Sequence, residues 1–242
     1  MRKLSNEFGF FYKHFDAFVC DFEEAVLQNN KKSVLSLNNK SDICFENFPD
    51  YKGSHFIRDP RDLVVSGYRY HLWTKEKWCN DPNFDWWTSV TDHPYFSEYV
   101  EKKRKKYPEN ISYKEYLNKL DTERGLILEL IFCHPMLSEM KRWDYNNSKI
   151  IELKYEEIIG NETECFRRIF SHYEFHPKLI QRGVEIADQL SLKNQPKSET
   201  GHVRKGTSKQ WASEFTPLIK DLFNKVNGDL LIQLGYEKDM KW

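Results

Sequence analysis

The segment Phe56-Ile57-Arg58-Asp59-Pro60-Arg61-Asp62-Leu63-Val64-Val65-Ser66 constrains the fold more than any other stretch of the chain. A short apolar strand runs straight into Asp-Pro. Proline at the first helical position, with aspartate before it, starts a helix. Arg58 therefore leaves the carboxyl end of a strand at the point where the new helix aims its free N–H groups. Arginine beside a helix N-terminus suits an anion, phosphate above all. Ser66, two turns in, can add a hydroxyl. The same residues also fit a capped helix with a surface salt bridge.

Two further segments bear on that choice. Val203-Arg204-Lys205-Gly206-Thr207-Ser208-Lys209-Gln210-Trp211 sets two cations before a glycine, then hydroxyls and a tryptophan. Glycine lets backbone approach an anion closely, and the cations neutralise it. A solvated basic loop is the plain alternative. Between the two segments, Lys149-Ile150-Ile151-Glu152-Leu153-Lys154-Tyr155-Glu156-Glu157-Ile158 reads as an apolar strand that ends in Tyr-Glu-Glu before a new helix.

Along the chain, strands alternate with helices. Residues 2–10 and 16–28 read as helical, Val34 to Leu37 and Ser54 to Ile57 as strands. A helix from Pro60 to about His71 turns Leu63, Val64, Gly67, Tyr68 and Leu72 to one face. Ser112 to Met140 holds two helices, with Arg124-Gly125 a break or a point of close packing. Lys149 to Leu153 is the next strand. Asn161-Glu162-Thr163-Glu164 reads as a capping box that opens a helix with Phe166, Ile169 and Phe170 inward. Thr216-Pro217 starts the last long helix, with Leu218, Ile219, Leu222, Phe223 and Val226 inward. Such alternation predicts an α/β fold with a mostly parallel sheet flanked by helices, and ligands at the carboxyl ends of its strands. No internal repeat or low-complexity linker interrupts the chain, so residues 1–242 read as one domain.

In order and spacing, the three segments resemble the sulfotransferase family that uses 3′-phosphoadenosine 5′-phosphosulfate as donor. That family has an R-[DN]-P-[RK]-D-x-x-x-S stretch, a Y-E-[DE] stretch and an R-K-G-x-x-G-x-W loop. The run from Gly125 through Glu129, Met140 and Trp143 to Tyr155 is similar to its middle, and Leu234-Gly235-Tyr236 to its ending. The resemblance implies a sulfotransferase fold of the phosphate-loop nucleoside triphosphate hydrolase type. It implies Arg58 and Ser66 as ligands of the donor's 3′-phosphate, Arg204, Lys205 and Gly206 as loop contacts to the same phosphate, and Tyr155 near the adenine. Trp211 falls at the loop's tryptophan and reads as an anchor. The implied reaction moves a sulfuryl group from donor to an acceptor hydroxyl or amine, with no metal. The residues carried over all serve donor binding, and none can be assigned as catalytic.

The departures from the family pattern matter as much. No P-K-[SA]-G-T-T-W type phosphate loop, which cradles the 5′-phosphosulfate, precedes the first helix. Met1-Arg2-Lys3-Leu4-Ser5-Asn6-Glu7-Phe8 reads like the helix that follows that loop, cut just after its tryptophan. A start codon assigned too late is the favoured account, against a genuine truncation or a decayed gene copy. Read as it stands, the fold would lack its first strand and its phosphate loop. Many members also place a histidine roughly twenty residues before the R-x-P segment. Here that region is Ser33-Val34-Leu35-Ser36-Leu37-Asn38-Asn39. Asn38 is nearest, and an amide cannot take a proton at neutral pH. Lys209 stands where the loop's second glycine is expected. The rival reading is therefore an inactive, truncated sulfotransferase-like protein that binds only the 3′-phosphoadenosine part, or a partner. A nucleotide kinase fits less well, since neither a phosphate loop nor a Mg²⁺-binding aspartate is visible.

Composition narrows the partners. Formal net charge is zero, so attraction to nucleic acid is not expected. No apolar run reaches membrane-spanning length, and no signal peptide is recognised at the start. Five cysteines, odd in number and without C-x-x-C spacing, suit a cytoplasmic setting. No His, Cys, Asp and Glu group at metal-ligand spacing. The acceptor is expected to be a small molecule or glycan. Aromatics crowd Trp73, Trp78, Trp86, Trp87, Tyr95, Phe96 and Tyr99, either as local packing or as an acceptor lining. His71 could face such a pocket or be packed, and His55 reads as a satisfied core residue. Lys102-Lys103-Arg104-Lys105-Lys106 reads as a solvated helix face or a docking site for an anionic acceptor. Oligomeric state stays open, because the K-x-x-x-T-V-x-x-x-E dimer motif of some relatives is not found after Trp211.

Overall fold

The structure, a computed structural model, describes residues 2–15, 19–28, 33–38, 40–48, 50–84, 96, 110–194 and 207–242. The elements run α1 (Arg2–Phe8), β1 (Phe11–Phe15), α2 (Val19–Gln28), β2 (Ser33–Leu37), β3 (Gly53–Ile57), α3 (Pro60–His71), α4 (Lys77–Asn80), α5 (Tyr113–Leu117), α6 (Thr122–Arg142), β4 (Ile150–Lys154), α7 (Tyr155–Ile158), α8 (Glu162–His172), α9 (Pro177–Gln189), α10 (Trp211–Glu214) and α11 (Pro217–Gln233). This is an α/β chain, as expected. Among the described residues the strands pair in parallel, β1 with β2 and β3 with β4. The chain folds as two compact units, Met1–Ile57 with Arg142–Lys197 and Arg58–Lys141 with Ser198–Trp242.

Among the described residues the first unit carries four strands. Gly53 to Ile57 lies in register with Ile150 to Lys154. That register sets His55 opposite Glu152, and the imidazole Nδ1 meets the carboxylate at 2.7 Å. Trp143 donates its indole N–H to the other oxygen of Glu152 at 2.8 Å and its ring covers His55 at 4.2 Å. The His55 ring thus has a partner, as the sequence suggested, although the residue is half-buried and not in the core. The helices α8 and α9 bury Cys165, Ile169, Phe170, Val184 and Ile186 around Leu153 of β4. Each of the aliphatic and aromatic side chains among them contributes about 1.5–3 kcal/mol on burial.

The described residues of the second unit are helical. Its α3 turns Val64, Val65, Tyr68 and His71 inward, while α6 buries a longer face that includes Leu126, Leu130, Ile131 and Leu137. Gly125, in the first turn of α6, lets the two helices meet, for a Cβ there would stand 2.5 Å from Tyr68 Cε2. The C-terminal end of α3 is capped from α5. Lys114 Nζ donates to the Thr74 carbonyl at 2.9 Å and Asn118 Nδ2 to that of Leu72 at 3.1 Å. Lys141 of α6 pairs with Asp229 of α11. Among the described residues no helix is long and apolar enough to cross a membrane.

Four local expectations are corrected. Residues 11–15 form a strand, where the sequence reading had only a link between two helices. Leu218, read as inward, is exposed on α11, whereas Gly125 is the point of close packing that the sequence offered, inside a continuous helix, with the chain break at residues 118–121. Asn161 caps α8 without a side-chain bond, its amide lying by Cys165, and its N–H is taken by Ile158 O at 2.9 Å, so the reciprocal half of a capping box has no donor. The reciprocal capping box forms instead between Ser112 and Glu115. Glu156 and Glu157 lie on a helical turn, not on an extended strand end.

Candidate donor-binding site

The Arg58–Ser66 stretch folds as its letters dictate. Arg58 follows the last residue of β3, and α3 begins two residues later with Pro60 at its first position. Asp59 is the N-cap, and its carboxylate accepts the Arg61 backbone N–H at 2.9 Å. Arg58 and Ser66 are both half-buried.

The two other charged residues of the stretch serve architecture. Arg61 is buried, and its guanidinium grips both oxygens of Asp59 at 2.9 and 2.7 Å and Glu237 at 2.5 Å. It is also flanked by aromatic faces, with Trp211 centred 3.7 Å and Trp242 4.5 Å from its carbon. Planar arginine suits such a sandwich better than lysine does. Trp211 is thus an anchor, as read from the sequence.

Asp62 is fully buried and spends both oxygens on the other motif. One accepts the backbone N–H of Lys209 at 2.7 Å, the other that of Trp211 at 3.0 Å. Burial pushes the Asp62 carboxyl above its ordinary value, while these two N–H groups and the positive charge of Arg58 pull the other way. Lys209 itself is held at φ +60°, the left-handed region that favours glycine. The reading of Lys209 as a replaced glycine therefore has a conformational basis. The Arg58–Ser66 stretch and the end of the 203–211 segment are brought together within one unit. Arg204, Lys205 and Gly206 lie outside the described residues, as do the aromatic positions from Trp86 to Tyr95, Tyr99 and the 102–106 cationic run. Tyr155, half-buried, opens α7 in the other unit.

A second polar cluster lies deeper in the same unit. His71, at the end of α3, meets Glu129 of α6 at 3.0 Å, and the Tyr113 hydroxyl donates to the same carboxylate at 2.7 Å. Cys133 Sγ lies 3.3 Å from its other oxygen. Burial, reinforced by the charge of Glu129, raises the Tyr113 hydroxyl and the Cys133 thiol far above their ordinary values. The same pair of causes pushes the Cys79 thiol up to about 12. No histidine stands on β2; its Ser36 instead meets His14 of β1 at 3.0 Å. Sequence reasoning missed the roles of Asp62 and Glu129. The only trace of the first was an acid in a first helical turn, and the second left none beyond its place in the Gly125–Tyr155 run.

The family model described as Sulfotransferase domain matches residues 48–235. Among solved structures, mouse sulfotransferase SULT7A1 complexed with PAP aligns at 14% identity over 91% of this chain and 75% of that one, with a TM-score of 0.42. Retinol dehydratase in complex with androsterone and inactive cofactor PAP aligns at 14% identity over 86% of this chain and 55% of that one, with a TM-score of 0.41. Among curated proteins none matches. The matched segment runs from before β3 to the end of α11 and takes in all three motif segments read from the sequence, so this chain belongs to the sulfotransferase domain family.

Proposed function

We propose that the chain transfers a sulfuryl group from 3′-phosphoadenosine 5′-phosphosulfate to a hydroxyl or amine of a small-molecule or glycan acceptor. One observation carries the reading. Asp62, four residues after Arg58, holds the backbone of Lys209 and Trp211, three and five residues after Gly206. That joint ties the two segments whose residue types suit one phosphate. Arg58 offers a forked guanidinium, Ser66 a hydroxyl, and Arg204, Lys205 and Gly206 two charges and a small residue. Tyr155 is assigned to the adenine side. The donor supplies the sulfuryl group; the chain's own part is to bind it, orient it and balance its charge. Five free thiols are in keeping with a reducing, cytoplasmic setting.

The test is calorimetric titration with adenosine 3′,5′-bisphosphate. Arg58→Ala is expected to abolish binding, because a charge-assisted bidentate contact is lost. Unchanged affinity would overturn the site. Binding without transfer to any acceptor would favour the inactive, 3′-phosphoadenosine-binding alternative.

A further inference from the structure

Glu129 sits inside α6 with 0% of its surface exposed. A carboxylate at such a place is costly unless its oxygens are filled. Three donors converge on it, from His71 Nδ1, the Tyr113 hydroxyl and the Cys133 thiol. Gly67 makes the room, since a Cβ there would stand 2.4 Å from Glu129 Oε1. A carboxylate that takes three donors only accepts, so Nδ1 of His71 carries the ring proton and Nε2 keeps its lone pair.

The other side of the ring is open. Among the described residues Nε2 has no hydrogen-bond partner, and the His71 side chain keeps 11% of its surface accessible. Half-buried Trp78 and Phe132 flank the imidazole with ring centres at 5.1 and 5.5 Å, and they stack on each other at 5.4 Å. Glu76 fixes this wall by accepting from the Trp78 indole at 2.6 Å and the Tyr70 hydroxyl at 2.7 Å. A carboxylate that orients an imidazole whose far nitrogen is open and basic is the arrangement of an acid–base catalyst.

We propose that His71 is the general base that takes the acceptor's proton, and that Glu129 is the positioning residue that fixes its tautomer and stabilises the imidazolium. The inference rests on the sulfuryl-transfer reading above. The acceptor oxygen bonds to sulfur, and the bridging S–O bond of the donor breaks with its electron pair leaving on adenosine 3′,5′-bisphosphate. The hydroxyl proton moves to His71 Nε2. The base is thereby supplied from the end of α3, while β2, where the resemblance looks for one, has none.

The experiment uses the 242-residue protein, with 2-naphthol and cyclohexanol as acceptor probes and radiolabelled donor, over about pH 5 to 9. Adenosine 3′,5′-bisphosphate binding is measured in parallel as a check on folding and on the donor site. His71→Ala and His71→Gln are expected to keep that affinity while kcat falls roughly 10²–10⁴-fold. Added imidazole is expected to restore part of the rate to His71→Ala. Glu129→Gln is expected to lower kcat and to move the acid limb of kcat/KM to lower pH, because an amide does not stabilise the imidazolium. The groups that face His71 and could share that titration are Glu129 and Cys133 of α6, Tyr113 and Lys114 of α5, Cys79 of α4, and Glu76. Full rate in His71→Gln, or an unmoved acid limb in Glu129→Gln, overturns the inference. Either result beside an active wild type overturns it alone, whereas wild-type protein that binds the bisphosphate but transfers to neither probe favours the inactive alternative and overturns it together with the sulfuryl-transfer reading. Wild-type protein that does not bind the bisphosphate overturns the sulfuryl-transfer reading with it.

Discussion

Asp62 holds the backbone N–H of Lys209 at 2.7 Å across 147 residues of sequence. With Trp211 on its second oxygen, it is the joint between the two motif segments. Asp62→Asn keeps one acceptor and turns an amide NH₂ toward the other N–H, which leaves a buried donor unsatisfied. The expected cost is about 1–3 kcal/mol of stability, with weaker bisphosphate binding. Denaturant titration and calorimetry read the two effects. The pH dependence follows from the raised carboxyl. A group that holds its proton more tightly when folded costs stability as pH climbs from its unfolded value, near 3.8, through its folded one, and the cost is full above that. Wild type should therefore lose stability relative to Asp62→Asn across that window as pH rises, and a difference that grows the other way would refute the assignment.

Lys209 at φ +60° bears the steric penalty of a left-handed side-chain residue. Lys209→Gly should relieve it, with a gain of about 1 kcal/mol at most after the entropy of glycine is counted. Its side chain is exposed, so no packing is lost. A lower melting temperature for the variant would show that this conformation carries no strain.

Buried Arg61 and Asp59 join half-buried Glu237, Trp211 and Trp242 in one cluster. Arg61→Lys keeps the charge but loses the fork and the flat face between the indoles. Breaking a buried, hydrogen-bonded pair costs about 3–5 kcal/mol, and the lysine should recover only part of that. Urea unfolding of Arg61→Lys within error of wild type would contradict the cluster.

Thiol chemistry separates the cysteines. Cys20 and Cys44 are exposed, whereas Cys79, Cys133 and Cys165 are buried, and burial raises the thiols of all three. A chromogenic disulfide reagent at neutral pH should titrate the exposed pair rapidly and the rest only after denaturant is added. Rapid reaction of all five would show the helical core to be open.

Much of this was legible from local chemistry. Pro60 to His71 was read to its ends because aspartate and proline mark the start without ambiguity, and Thr216-Pro217 fixed the last helix in the same way. Strands β3 and β4 were placed within a residue by apolar runs bounded by turn signals. Phe11 to Phe15 was missed because its five residues carry a lysine and a histidine and only one of its side chains is buried. The helix at Pro177–Gln189 was passed over although proline marks its start. The Asp62 joint and the His71–Glu129 pair were beyond reach for a different reason. Each depends on helices or loops that are far apart in sequence, and no local pattern encodes which acid will meet which donor.

The span between Asp62 and the segment it holds has a consequence during synthesis. The unit that contains them is discontinuous, built from Arg58–Lys141 and Ser198–Trp242. Ribosomes add roughly 5–20 residues per second, so Asp62 waits on the order of ten seconds or more before Lys209 and Trp211 emerge to fill its oxygens. A nascent chain can form α3 early, yet β3 waits for β4 to emerge and Lys209 to Trp211 cannot join Asp62 until translation is nearly finished. Premature release, by a nonsense codon or by proteolysis upstream of Lys209, would yield a polypeptide in which Asp62 lacks both of the backbone N–H groups that fill its oxygens in the finished protein.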